Sequence, residues 1–229
     1  MIPAIVQRSG PVLLVGGALR NPGAVLELQN TVNAVVAADG AADLLVDAGV
    51  RPDAVIGDMD SIRPETRAAL PKDVLHEITE QDSTDFDKCL RNIAAPLVLG
   101  LGFLGARVDH ELAALTVLAR RADRRCVLVG EEDVILLCPP EFTIDLPEGC
   151  RVSLFPLGPV TGRSEGLRWP IDGLEFAPAL RGGTSNMATG GQVRLRMDAP
   201  LMLLILPRSL LAQVRQALAQ QPSSWPVPA

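Results

Sequence analysis

Asp53-Ala54-Val55-Ile56-Gly57-Asp58-Met59-Asp60-Ser61 is the stretch whose reading decides the fold. Its first half is a short apolar run ending in glycine, the pattern of a strand buried on both faces of a sheet. Its second half sets two carboxylates just past that strand's carboxyl end, the rim where open parallel sheets bind ligands. Further along, Asp82-Ser83-Thr84-Asp85 answers it with two more. Crowded carboxylates repel one another unless a proton or cation intervenes. Mg²⁺ suits such a place, because it takes one or two carboxylates and completes its octahedron with water and phosphate oxygens. A solvated turn, or a cap on the helix that begins near Phe86, would employ the same acids more plainly. The rest of the chain decides between these readings.

Working outward, Val12–Gly17, Ala34–Ala38, Val74–Ile78, Leu97–Gly102 and Cys126–Gly130 repeat the buried-strand pattern. Between them lie helical stretches at 24–32, 41–48, 64–70, 85–94 and 109–121. Asn21 and Pro22 mark the start of the first of these, Gly49 the end of the second and Pro96 the end of the fourth. Strands alternating with helices imply a mostly parallel sheet covered on both faces. Asp39, the pair Asp58 and Asp60, the pair Asp82 and Asp85, and the Gly102–Asp109 loop each follow a strand's carboxyl end, so one rim receives all four. After about residue 131 the texture changes to short alternating segments (134–137, 142–146, 151–155, 174–177, 192–197, 201–206) separated by Gly and Pro turns. The expected architecture is an N-terminal α/β domain with a mostly parallel sheet, residues 1–131, followed by a C-terminal antiparallel β-sandwich, residues 132–229. Ser209–Gln220 reads as an amphipathic helix. The Pro-rich segment 222–229, with Trp225 in it, is expected to be loose and without a role.

With 48% apolar and 21% charged residues, the 229-residue chain can bury a sizeable core and is not a disordered sequence. A net charge of −6 argues against a nucleic-acid partner. A metal-bound nucleotide and a cationic small substrate both remain compatible with it. Only 3% of residues are aromatic and Tyr is absent, which makes Trp169 and Trp225 conspicuous as stacking surfaces. Cys89, Cys126, Cys138 and Cys150 show no zinc or redox spacing and read as reduced thiols. No secretory leader is apparent and the run Leu201–Leu206 is too short to span a bilayer. The expectation is a cytoplasmic protein without a membrane partner.

Read together, these segments resemble the thiamine pyrophosphokinase family. The residues that carry the resemblance are Asp39-Gly40-Ala41-Ala42, Gly57-Asp58-Met59-Asp60-Ser61, Asp82-Ser83-Thr84-Asp85-Phe86-Asp87-Lys88 and Gly102-Phe103-Leu104-Gly105-Ala106-Arg107-Val108-Asp109-His110. In the second half they are Gly158–Gly162, Gly166-Leu167-Arg168-Trp169-Pro170 and Thr184-Ser185-Asn186. Ala41 and Ala106 stand where the family has a second glycine, Ala114 where it commonly has Asn, and Gly183 where it has Ser. The resemblance implies transfer of ATP's terminal pyrophosphate to the hydroxyl of thiamine, with release of AMP. It also implies an α/β domain plus a sandwich, and a homodimer with thiamine bound where two subunits meet.

On that footing Asp58, Asp60 and Asp85 are the expected catalytic residues and Mg²⁺ ligands, with Asp39 and Asp82 assisting directly or through water. Asp60 or Asp85 would take the hydroxyl proton. Lys88, Arg107, Asp109 and His110 are expected at ATP, Arg107 through its bidentate fork and the latter two at a helix start that favours anions. Trp169 would offer its ring to a thiamine ring, a contact worth about 0.5–2 kcal/mol for a cation over indole. Thr184, Ser185 and Asn186 would meet the acceptor, the last two through the aminopyrimidine edge. The alternatives are a pyrophosphokinase acting on a pterin alcohol, a glycosyltransferase using Asp58 and Asp60, and a thiamine- or nucleotide-binding protein without catalysis.

Overall fold

The computed structural model describes residues 4–221 and 225–226. Its contacts divide the chain into two units: 4–117 with Cys126–Gly130, and Leu118–Arg125 with the residues from Glu131 onward. The first contains, in order, β1 (Val6–Gln7), β2 (Val12–Val15), α1 (Gly23–Gln29), β3 (Ala34–Ala38), α2 (Ala41–Asp47), β4 (Ala54–Gly57), α3 (Pro64–Ala69), β5 (Leu75–Glu77), α4 (Asp85–Arg91), β6 (Ile93–Ala94), β7 (Val98–Leu101) and β8 (Cys126–Val129). The helix α5 (Val108–Arg120) precedes β8.

Six of these strands form a parallel sheet in the order β8-β7-β2-β3-β4-β5. Every residue of β2, β3, β4, β7 and β8 is buried, as continuous apolar runs require when both faces are covered. Helix α2 ends as its sequence indicates, with Gly49 at φ 72°. Helix α4 stops at Arg91, short of the expected Ala94. The Asn92 side chain donates to Lys88 O at 2.8 Å, and Ile93–Ala94 instead pairs in parallel with Val6–Gln7. A long-range ladder thereby overrides a helical pattern.

The second unit holds β9 (Asp133–Leu137), β10 (Glu141–Leu146), β11 (Arg151–Pro156), β12 (Gly162–Glu165), β13 (Gly183–Met187), β14 (Gly191–Met197), β15 (Met202–Pro207) and α6 (Leu211–Gln220). Its strands pair antiparallel in two sets, in the orders β13-β11-β15-β9 and β10-β14-β12. Alternation sorts their faces: Phe142, Ile144, Leu146, Val193, Leu195 and Met197 are buried, while Gln192, Arg194 and Arg196 are exposed. The expected strand at 174–177 is reduced to two isolated bridges, Phe176 with Val160 and Ala177 with Arg181. The polar strands β12 and β13 carry too few apolar residues to announce themselves.

Gln221 closes the free edge of β10, its side-chain amide bonding both Thr143 N and Thr143 O at 2.7 and 2.6 Å. Trp225 has a part in the fold after all, its ring N–H donating to Cys138 O at 2.9 Å. The rest of the expected loose segment lies outside the described residues. All four cysteines are free thiols, and burial pushes that of Cys138 up to about 12. Among the described residues no helix is long and apolar enough to cross a membrane.

Candidate active site

Because β3 and β4 run parallel, Asp39 and the Asp58–Ser61 loop leave the same edge of the sheet. Glycine at two positions lets these loops interlock. A Cβ on Gly57 would fall 2.6 Å from Asp39 Cβ, and one on Gly40 would fall 3.0 Å from Ser61. Asp39 and Met59 take up left-handed backbone, φ 44° and 65°, an uncommon conformation that concentrates at functional turns. The outcome is a group in which carboxylate oxygens of Asp39, Asp58 and Asp60 all lie within 4.8 Å of one another. Asp39 is 4% exposed, and its buried Oδ1 has no hydrogen-bond partner. Burial raises the Asp39 carboxyl above its ordinary value, and the charges of Asp85 and Asp58 add to that. Asp60 accepts from Ser61 Oγ at 2.8 Å.

Asp85 does not join this group. It opens α4, whose cap is Thr84 accepting from Asp87 N at 3.4 Å. One helical turn on, Lys88 is 2% exposed and its Nζ donates to Asp85 Oδ1 at 3.2 Å and to Asp58 Oδ2 at 3.3 Å. A lysine so deeply buried does not lie on a solvated helix face. Burial opposes ionisation of Asp58, yet the Lys88 ammonium outweighs it and holds that carboxyl below its ordinary value. Burial likewise works against the Lys88 charge, and Asp85 and Asp58 overcome it, so the ammonium sits above the usual lysine value. Gln81, which the sequence did not single out, approaches Asp58 Oδ2 at 3.5 Å. Asp82 is exposed and does not line the adjoining cavity.

That cavity has a volume of 330 Å³ and combines Asp58, Asp85, Lys88, Arg107 and His110 with an apolar wall. Arg107 and Asp109 are both exposed and hold each other through two contacts of 3.1 and 2.6 Å. Arg107 and His110 face the cavity; Asp109 is not among its lining residues. The apolar wall was missed from sequence. Phe103 meets Phe86 at 4.5 Å between ring centroids, and Cβ atoms on Gly16 or Gly100 would fall 2.6 or 3.3 Å from the Phe103 ring. The signal was the glycines at strand ends, which seat an aromatic ring. Ala114, in place of the family's Asn, lines the same cavity with a methyl group.

The sandwich unit carries a second pocket, of 340 Å³, lined by Trp169, Thr184, Ser185 and Asn186 and by apolar residues such as Ile171 and Phe176. Its geometry comes from a bulge. Val152 pairs with Asn186 and Leu154 with Gly183, so Ser153 alone faces Thr184 and Ser185. Ser185 adopts φ 60°, and buried Ser153 accepts its N–H at 3.0 Å. Both Thr184 and Ser185 are exposed while Asn186 turns inward at 7% exposure. Trp169 is 51% exposed, with the Arg168 guanidinium 5.1 Å from its ring centre. A Cβ on Gly183 would fall 2.9 Å from Leu154 Cβ, which accounts for glycine where the family has Ser.

Comparison with known proteins identifies the family and the fold. The family model for the thiamin pyrophosphokinase catalytic domain matches residues 25–129. Thiamine pyrophosphokinase 1 of Oryza sativa subsp. japonica is 32% identical over 178 residues, covering 69% of this chain and 67% of that protein. Thiamine pyrophosphokinase 1 of Arabidopsis thaliana is 31% identical over 174 residues, covering 68% and 65%. Among solved structures, yeast thiamin pyrophosphokinase superposes with a TM-score of 0.74 at 19% identity, covering 87% of this chain and 86% of that one, a likeness of fold. The chain belongs to the thiamin pyrophosphokinase family.

Proposed function

We infer that the protein transfers the pyrophosphoryl group of ATP to the hydroxyl of thiamine, giving thiamine diphosphate and AMP. The observation that carries this beyond family membership is the carboxylate group beside the Lys88 cavity. Three carboxylates within 4.8 Å, one with an unpartnered buried oxygen, suit a hard cation, and we assign Mg²⁺ to them. Asp39, Asp58 and Asp60 would hold it, with Asp85 beside them. When bound it supplies positive charge at the phosphate oxygens as negative charge is redistributed.

The chain's own residues do the remainder. Lys88 holds the Asp58 carboxyl below its ordinary value and fixes the directions of both Asp58 and Asp85. Arg107 lines the cavity with its fork paired to Asp109, and on exchanging that partner the fork would suit two phosphate oxygens at once. Asp85 lines the cavity whereas Asp60 does not, which favours Asp85 as acceptor of the incoming hydroxyl's proton. The wall built by Phe86 and Phe103 excludes water from one side and strengthens every polar contact opposite.

We assign the acceptor to the pocket of Trp169, Thr184 and Ser185, residues 1–131 to donor binding and residues 132–229 to acceptor binding and dimerisation. In this reading a homodimer with shared acceptor sites completes the enzyme, and free thiols throughout suit a cytoplasmic location. The test is incubation with ATP, Mg²⁺ and a panel of hydroxyl-bearing vitamins and pterins, read by product mass. Thiamine diphosphate with AMP is expected. A pterin diphosphate, a nucleoside diphosphate or no product at all would refute the assignment.

A further inference from the structure

We propose that Asn186 is a positioning residue: it sets the Trp169 ring for the acceptor and does not itself touch substrate. The inference rests on the acceptor assignment of the sandwich pocket. The sequence had placed this amide against the aminopyrimidine, but the structure commits it elsewhere. Asn186 Oδ1 accepts from Trp169 N at 3.3 Å and from Met187 N at 2.8 Å, while Nδ2 donates to Trp169 O at 2.7 Å. An asparagine side chain offers two donor hydrogens and an oxygen with two lone pairs, so these bonds leave one donor.

The neighbouring backbone shows why a side chain is needed there. Leu167 bridges Ala188, and Arg168 N donates to Met187 O at 2.8 Å, so the 167–168 segment pairs alongside the end of β13. At Trp169 the backbone pairing gives way, and the Asn186 amide meets both the N–H and the carbonyl of that residue. The bulge at Thr184-Ser185 makes this possible. It lets two consecutive residues face solvent and the pocket while the next turns inward. Pro170 then restricts the backbone of Trp169 from the other side. A half-exposed indole is thus carried on a backbone held by a buried amide, which limits how far the ring can drift.

The test is a double-mutant cycle on Asn186→Ala and Trp169→Ala, with KM for thiamine and for ATP measured separately and folding checked by thermal melting. Asn186→Ala is expected to raise the thiamine KM about tenfold and to leave kcat and the ATP KM within about twofold. In a Trp225→Phe background, where Trp169 alone emits, the same substitution should lower the ligand-free fluorescence anisotropy of the indole. Combining both lesions should cost no more than Trp169→Ala alone, because Asn186 acts through the ring. Additive losses would mean that Asn186 contacts substrate directly and would overturn the inference alone. An unchanged thiamine KM in Trp169→Ala would overturn the acceptor assignment and the inference with it. If Asn186→Ala fails to fold, the near-isosteric Asn186→Asp enters the same cycle, since it keeps the accepting contacts and sets an oxygen against Trp169 O.

Discussion

Two pockets, one in each unit, are of nearly equal volume and opposite character. That of the α/β unit, 330 Å³, is governed by charge: a lysine 2% exposed between two aspartates, and a carboxylate group alongside. That of the sandwich, 340 Å³, has no carboxylate among its described lining residues; besides the cation of Arg181, its features are an indole, exposed hydroxyls and a bulge. Where charge must be redistributed, the fold assembles groups that repel one another and then restrains them. Around the sandwich pocket, where we place the acceptor, it fixes shape with neutral hydrogen bonds. In the proposed reading, chemistry and selection fall to different units.

The largest expected effect follows from the charged side. Asp60→Asn should cut kcat by at least about a hundredfold while leaving the thermal midpoint unchanged or higher, because one of three repelling carboxylates is removed. Near-normal turnover at saturating Mg²⁺ would remove Asp60 from the site.

Lys88→Met sharpens the contrast in stability. Asp58 and Asp85 would lose their shared counter-ion, and unfolding in denaturant should show a loss of about 2 kcal/mol. That is less than a fully buried pair would cost, since both carboxylates keep some contact with water. A midpoint equal to the parent's would show that the bridge is electrostatically idle.

This asymmetry also explains what was legible in the sequence. The parallel sheet could be read because Val12–Val15, Ala34–Ala38 and Val98–Leu101 are continuous apolar runs that only double burial explains. Asp39, Asp58 and Asp85 could be placed because each follows a strand end. That Asp39 rather than Asp85 completes the close carboxylate group depends on a left-handed turn and on glycines packed against side chains, which no periodicity encodes. Phe103 was hidden for the same reason. In the sandwich, β12 and β13 are short and polar, and the inward turn of Asn186 follows from a bulge that alternation cannot foresee.

A third prediction breaks the division of labour if it fails. Asp60→Asn chains mixed with chains carrying Trp169→Ala and Asn186→Ala, under conditions that exchange subunits and at thiamine well below the raised KM of the doubly substituted chain, should recover activity. Recovery should approach about a quarter of the parent's at equal mixing, since half the dimers are mixed and half their sites are intact. No recovery despite demonstrated exchange would mean that each chain supplies its own complete site.

The smallest effect concerns His76 on β5, away from both pockets. Burial lowers its pKa below the ordinary 6.5, with Asp73 partly opposing. Folding therefore favours the neutral imidazole. That contribution is fully present above pH 6.5 and is lost as pH falls through the lower folded-state value. The fall in thermal midpoint from about pH 7 to about pH 5.5 should be shallower in His76→Gln; an identical slope would show that His76 does not contribute.

The most direct test of the whole account uses ATP labelled in its γ-phosphate, with thiamine as acceptor. If the hydroxyl attacks the β-phosphorus, the β and γ groups travel together. All label then appears in the terminal phosphate of thiamine diphosphate, with one unlabelled AMP released per product. Label found in thiamine monophosphate or in free phosphate, with ADP as the nucleotide product, would contradict it.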